Sequence, residues 1–257
     1  MRQIPDFSDE RLKSWCIHCG SVIANVPSNQ DHVPTRSLLT KNLRDRGKRY
    51  DKGAHDPDGY LPQVLVCKEC NTAFSTDETY LLCVLHAVHA GSLYPDRRAH
   101  REAATVLRSN RHIVRLLTAT PEGQLFLFSD LQPFSIYPDM EKIRNVVVKN
   151  AKGHAYHEIG EPILDDPSFV KVVPISLMSQ DERNEFEHRD TELDLWPEVG
   201  SRMLLRVVNG EGMSGGWIEV EPKRYRYAID WSSGVTVRTV IWDYLATEVR
   251  WCRDGTD

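Results

Sequence analysis

Hydrophobic positions in the first third of the chain come in short runs between long polar stretches. Residues 40–60, TKNLRDRGKRYDKGAHDPDGY, carry almost no aliphatic side chains and predict a long loop or insertion. The apolar run from Leu61 to Val66 predicts a strand that delivers Cys67. Ser75-Thr-Asp-Glu78 has the form of a capping box ahead of an apolar-periodic segment, so a helix is expected over 76–90, stopped by Gly91. A second helix is expected over 96–117. At about 100° per residue, Arg97, Arg101, Arg108, Arg111 and Arg115 share one face, with Ala99, Ala103, Val106, Ile113, Val114 and Leu117 roughly opposite. Ser109-Asn110 is a point where it can break.

From about Leu125 the texture becomes short alternating runs: LFLF, NVVVKN, FVKVVPISL, RMLLRVV, GWIEV, RYRYAID and VTVRTVIW, punctuated by Pro-Glu-Gly, Asn-Gly-Glu-Gly and Ser-Ser-Gly. These predict mostly strands, with a short helix near 179–187. The clearest hairpin joins 225–230 to 235–242 through 232–234. Aromatic residues such as Trp217, Tyr225, Tyr227, Trp231, Trp242, Tyr244 and Trp251 alternate with polar ones. That is the pattern of a half-buried antiparallel sheet, although single-stranded nucleic acid can stack on such a surface. The expected fold class is α+β: an N-terminal module over 1–95, then an α+β domain over 96–257, an Arg-rich helix followed by mostly antiparallel strands. The boundary is soft and can fall near 95 or 120.

With 257 residues the chain has room for one large domain or two small ones. A net charge of -5 argues against a protein that coats nucleic acid non-specifically, but charge averages over patches and does not exclude a nuclease. No apolar run approaches the roughly 20 residues needed to span a bilayer. The N-terminal MRQIPDFSDERLKSW lacks the apolar core of a secretory signal. A cytoplasmic protein with no membrane partner is therefore expected. Four of the six cysteines fall in two CxxC pairs, and a reducing compartment favours metal thiolates over disulfides. Cys83, in an apolar helical stretch, reads as a buried thiol, and Cys252 is left over.

Cys16, Cys19, Cys67 and Cys70 together can close a tetrahedral zinc site. Four thiolates leave such an ion coordinatively closed, so it folds the chain and does no catalysis. Strand, metal knuckle and helix in that order fit a small ββα unit. Asp31-His32 lies between the two pairs, and Asn71 directly follows the last cysteine. Cleaving a phosphodiester needs a base for water and a cation on the phosphate oxygens. A neutral His can be the base; a carboxylate and an amide oxygen can hold Mg²⁺. Alone, an Asp-His dipeptide is an ordinary surface or capping step. Asp77 and Glu78 lie near enough in sequence to reach a metal, though the capping box accounts for Glu78. His18, inside the first CxxC, is an alternative zinc ligand, and His86 and His89 read as ordinary packing.

The order Cys16xxCys19, Asp31-His32-Val-Pro34, Cys67xxCys70-Asn71 resembles the zinc-bearing HNH endonucleases of the ββα-metal (His-Me finger) superfamily. It is most like the endonuclease VII type, in which Asn directly follows the fourth zinc cysteine. The motifs cover about residues 14–80. The resemblance implies a hydrolase with structural Zn²⁺ on the four cysteines, catalytic Mg²⁺ or Mn²⁺ on Asp31 and Asn71, and His32 activating water. Nucleic acid, DNA before RNA, is the implied partner, and a homodimer would give two centres for the two strands of a duplex. Two departures stand out: the stretch from His32 to Cys67 is longer than a compact hairpin needs, and the last family position is Asn rather than His. The long stretch is basic, and Arg36, Lys41, Arg44, Arg46, Lys48 and Arg49 are the candidate phosphate contacts, with a solvated face as the plain alternative. A non-catalytic zinc module that binds nucleic acid or protein would keep the cysteines and use Asp31 and Asn71 only to hold the loop. An RNA-directed nuclease effector is the other alternative.

Overall fold

The computed structural model describes residues 1–118, 127–128, 134–188, 196–231 and 234–252. It contains helices and antiparallel strands in an α+β arrangement. The chain forms two compact units that interrupt the sequence order: Met1–Thr72 with Val147–Asp257, and Ala73–Val146. The division expected at residue 95 falls inside the second unit. Among the described residues, no helix is long and apolar enough to cross a membrane.

In the first unit, strand β1 (Ser28–His32) pairs antiparallel with β2 (Gln63–Cys67), aligning Ser28 with Cys67 and His32 with Gln63. Between them the expected loop contains a helix, α1 (Lys41–Asp51). It forms despite its polarity because Thr40 caps it through Leu43 N–H, and because Leu43 and Gly47 give it a narrow buried stripe. A Cβ on Gly47 would lie 2.6 Å from Leu61 Cδ1, so the missing side chain is what lets the helix lie down on Leu61. Helix α2 (Lys68–Ala90) begins immediately after β2, not at residue 76. Ser75–Glu78 therefore lies mid-helix and caps nothing; Thr79 Oγ1 donates to the Ser75 carbonyl, an internal back-bond.

The second unit takes α2 onward with α3 (Arg101–Ser109), α4 (Arg111–Thr118), the short antiparallel pair β3 (Leu127–Phe128) and β4 (Ser135–Ile136), and the start of α5 (Met140–Ile159). The single helix expected over 96–117 is thus two helices. Asn110 ends α3 and its Oδ1 accepts from the N–H groups of His112 and Ile113, starting α4. Ala103, Ala104, Leu107, Ile113 and Leu117 are buried while Arg101, Arg108, Arg111 and Arg115 are exposed, as the periodicity predicts. Of the run expected as a strand at 125–128, residues 125 and 126 lie outside the described residues, as does the Pro-Glu-Gly turn.

The run NVVVKN, expected as a strand, lies inside α5. Three consecutive valines favour a strand locally, but Val146 and Val147 are buried in a helix whose inner face continues to Ala151 and Ala155. RMLLRVV, also expected as a strand, is helix α7 (Arg202–Asn209), capped by Ser201 Oγ and closed by Gly210 at φ 67°. The C-terminal region is therefore less purely β than expected. Its sheet has the order β5 (Phe169–Pro174), β9 (Leu245–Cys252), β8 (Gly234–Ile241), β7 (Tyr225–Asp230), β6 (Ile218–Glu221), all antiparallel. Helix α6 (Gln180–Glu187), with a full Ser179–Glu182 capping box, covers one face, where Phe186 packs with Trp217, Ala228, Val240 and Ala246. The other face carries Tyr225 and Tyr227 against α5, with His154 stacked on Tyr227 at 3.8 Å. Trp217, Tyr225, Tyr227, Trp242 and Trp251 are all buried, so they are core.

Candidate metal centre

Two knuckles bring the four cysteines together. In the first, Gly20 N–H donates to the Cys16 carbonyl at 2.8 Å, and Gly20 sits at φ 71°, the left-handed turn that suits glycine. In the second, β2 passes directly into the first turn of α2, where Cys70 N–H donates to Cys67 Sγ at 3.4 Å. Cys67 N–H donates to Cys16 Sγ at 3.4 Å, the kind of bond that orients a ligating thiolate. The candidate ligand atoms all lie within 4.8 Å of one another, and Cys19 Sγ is 3.7 Å from Cys67 Sγ. A tetrahedron with metal–sulfur bonds of about 2.3 Å has edges of about 3.8 Å, whereas a disulfide needs about 2.05 Å. Among the described residues this is the one such cluster, and its donor set and spacing fit zinc. Hydrogen bonding with the Ser21 hydroxyl and N–H pulls the Cys19 thiol down to about 6, the direction a metal ligand needs. Burial pushes the Cys70 thiol up.

His18 is not among the ligands. Its imidazole is turned toward Asp31, with Nε2 4.0 Å from Oδ2. Burial, with Lys149 and Lys152 nearby, pulls it down to about 3, so it is neutral.

Asp31, His32 and Asn71 each have a different partner. Asp31 and His32 are consecutive on β1, so their side chains leave opposite faces of the hairpin. Asp31 is buried, and Lys149 Nζ lies 2.9 Å from both of its oxygens. The His32 Nε2 accepts from the Gln63 amide at 3.0 Å, and Gln63 also donates to Asp51 at 3.2 Å. Burial, then Arg36 and Lys149, pull the His32 imidazole down to about 4. Asn71 donates through Nδ2 to Asn29 Oδ1 at 2.9 Å, which ties the first turn of α2 to β1 two residues before Asp31.

The basic residues divide. Lys41, Lys48 and Arg49 are exposed on or beside α1. Arg46 is committed to Asp56, two parallel bonds of 2.8 Å each. Arg36 is half-buried and donates to the Arg44 carbonyl at 3.3 Å. Asp77, a candidate metal residue by position, belongs to the second unit, where Lys142 at 3.1 Å and Asn145 at 2.9 Å hold it.

Sequence reasoning missed the polar seam that α5 lays into the first unit. Lys149, Asn150, Lys152, His154, His157 and Glu158 are all buried. Their spacing at i, i+1, i+3, i+5, i+8 and i+9 is the one available signal, and a polar helical stripe ordinarily marks a solvated face. Thr35 donates through its N–H and Oγ1 to Asn150 Oδ1, at 3.0 and 3.1 Å. Gly153 lies against Val33, where a Cβ would come within 2.6 Å of Val33 Cγ2. A cavity of about 550 Å³ opens beside the hairpin, lined among others by Gln30, Gln63, Leu65, Asp6, His157 and Arg202.

Neither family profiles, nor curated proteins, nor solved structures give a match to this chain.

Proposed function

We propose that the chain is a nucleic-acid phosphodiesterase of the zinc-stapled HNH kind, acting on DNA. The observation that carries this reading is the placement of His32: neutral, at the end of a hairpin that four cysteines fasten to α2, with Arg36 close enough to lower its basicity. Zinc on Cys16, Cys19, Cys67 and Cys70 supplies rigidity alone. His32 takes the proton of the attacking water. Arg36 offers a cation to a non-bridging phosphate oxygen, and exposed Lys41, Lys48 and Arg49 supply salt-sensitive contacts to neighbouring phosphates. Gln63, which lines the cavity, fixes the imidazole by donating to Nε2 and must yield that lone pair when His32 acts as the base.

Mg²⁺ or Mn²⁺ on Asp31 and Asn71 belongs to the resemblance, and the residues do not fit it as they stand. The carboxylate is already neutralised by Lys149 on both oxygens, and the one other donor is an uncharged amide engaged with Asn29. The same two contacts favour a second reading, a non-catalytic zinc module in which Asp31 and Asn71 hold the hairpin in place.

Cleavage assays separate the two. Wild type, His32→Ala and Arg36→Ala, each loaded with zinc, are incubated with plasmid DNA, single-stranded DNA and RNA. The hydrolase reading expects loss of cleavage in His32→Ala with binding retained. Equal behaviour of all three on every substrate leaves the binding module.

A further inference from the structure

We propose that Lys149 is the resident cation of Asp31 and keeps this carboxylate from binding a divalent metal. The inference bears on the cation requirement of the proposed hydrolase but does not depend on the chain cutting nucleic acid.

Lys149 is not a surface lysine that happens to reach an acid. Its side chain is 2% exposed and that of Asp31 is 9% exposed. The ammonium straddles the carboxylate at 2.9 Å from each oxygen, the position a chelated ion would take. Its third contact is Thr35 Oγ1 at 3.3 Å, and Thr35 is itself fixed by Asn150 on the next position of α5. The missing side chain at Gly153, one helical turn on, lets α5 approach Val33 closely enough for Lys149 to reach. Helix, threonine and carboxylate therefore define the ammonium position from several sides.

Charge accounting points the same way. Within the pair, the one charge of Lys149 matches the one charge of Asp31. A divalent ion on the same oxygens would stand within a few ångströms of the ammonium and leave uncompensated positive charge in a place that excludes water. His18, 4.0 Å away, can bring no negative charge to offset it. Mg²⁺ sites use carboxylates not yet spoken for and keep several waters. Around Asp31 a lysine holds both carboxylate oxygens instead.

The test reads metal uptake rather than cleavage, so failure of the hydrolase reading leaves it intact. Zinc-loaded wild type, Asp31→Asn, Lys149→Met and the Asp31→Asn/Lys149→Met double variant are titrated with Mn²⁺, and free Mn²⁺ is followed by electron paramagnetic resonance. Wild type is expected to show no Mn²⁺ site that depends on Asp31. Lys149→Met is expected to bind Mn²⁺ roughly tenfold more tightly or better, since removing the ammonium frees a charged oxygen ligand, and the double variant is expected to lose that gain. A wild-type Mn²⁺ site abolished by Asp31→Asn overturns the proposal, as does a folded, zinc-loaded Lys149→Met with no gain in affinity. If Lys149→Met does not fold, wild type and the charge-neutral double variant decide: equal uptake supports the proposal, and a site present only in wild type overturns it.

Discussion

Glu158 receives both arms of the Arg206 guanidinium, Nε at 2.8 Å and Nη2 at 3.0 Å, with neither side chain more than 1% exposed. Tyr227 donates a third bond to the same carboxylate at 2.7 Å. This is a buried ion pair, joining helices α5 and α7 to the sheet.

Breaking it from one side strands a buried charge. Arg206→Met is expected to destabilise the protein by about 3–5 kcal/mol, with Glu158→Gln comparable. The double variant should recover much of that loss, because neither charge is then left alone. Urea unfolding of the four proteins completes the cycle, and strictly additive losses would mean that the pair contributes nothing as a pair.

Zinc should be bound at one ion per chain, measured by plasma mass spectrometry on metal-purified protein. Cys16→Ser or Cys67→Ser is expected to lose it. Removal by a strong chelator should expose the amides of β1 and β2 to hydrogen exchange, since cluster residues Cys16, Cys67 and their neighbours Ile17, Val64 and Val66 form this core together. Zinc-finger peptides gain about 10–16 kcal/mol from their ion, which bounds the effect from above. An unchanged exchange pattern after demetallation would contradict a structural role.

Acid should weaken the fold from about pH 6.5 downward. Burial pulls His154 down to about 3 and His157 well below its ordinary value of 6.5. Folded protein then binds fewer protons than unfolded chain between these limits, so stability is lost as pH falls through 6.5 toward the folded value. From pH 7 to pH 5 each histidine contributes up to about 2 kcal/mol of this loss. His157→Gln should flatten the dependence of the urea midpoint on pH; a parallel profile would place the acid sensitivity elsewhere.

Gly153→Ala sets helix propensity against packing. Alanine gains about 1 kcal/mol in a helix interior, yet its Cβ would press on buried Val33 at 2.6 and 2.9 Å. A net loss of about 1–3 kcal/mol is expected, relieved when Val33→Ala is added. Thermal unfolding of the single and double variants checks this.

The parts of the fold that could be read from the sequence are those whose cause is local. The alternation RYRYAID and VTVRTVIW marks β7 and β8 because each strand has two buried faces of different chemistry. The CxxC spacing marks the four-cysteine cluster because two knuckles have few other uses. NVVVKN misled because three β-branched residues describe the backbone they prefer alone, whereas the sheet and the hairpin both lie against this helix. Helix α1 was hidden because two small contacts, at Leu43 and Gly47, suffice to bury its narrow inner stripe. The site was half visible: cysteines, Asp31 and His32 announce themselves by order, but Lys149 does not. Its role depends on Asp31, 118 positions away, and no periodicity links them.

The first unit closes only with residues from both ends of the chain. Translation delivers Asp31 and all four thiols long before α5 exists. Until the ribosome has added the 118 positions to Lys149, that carboxylate lacks its lysine partner. The hairpin's strand pairing and its four thiols are thus in hand before the helix that completes the unit.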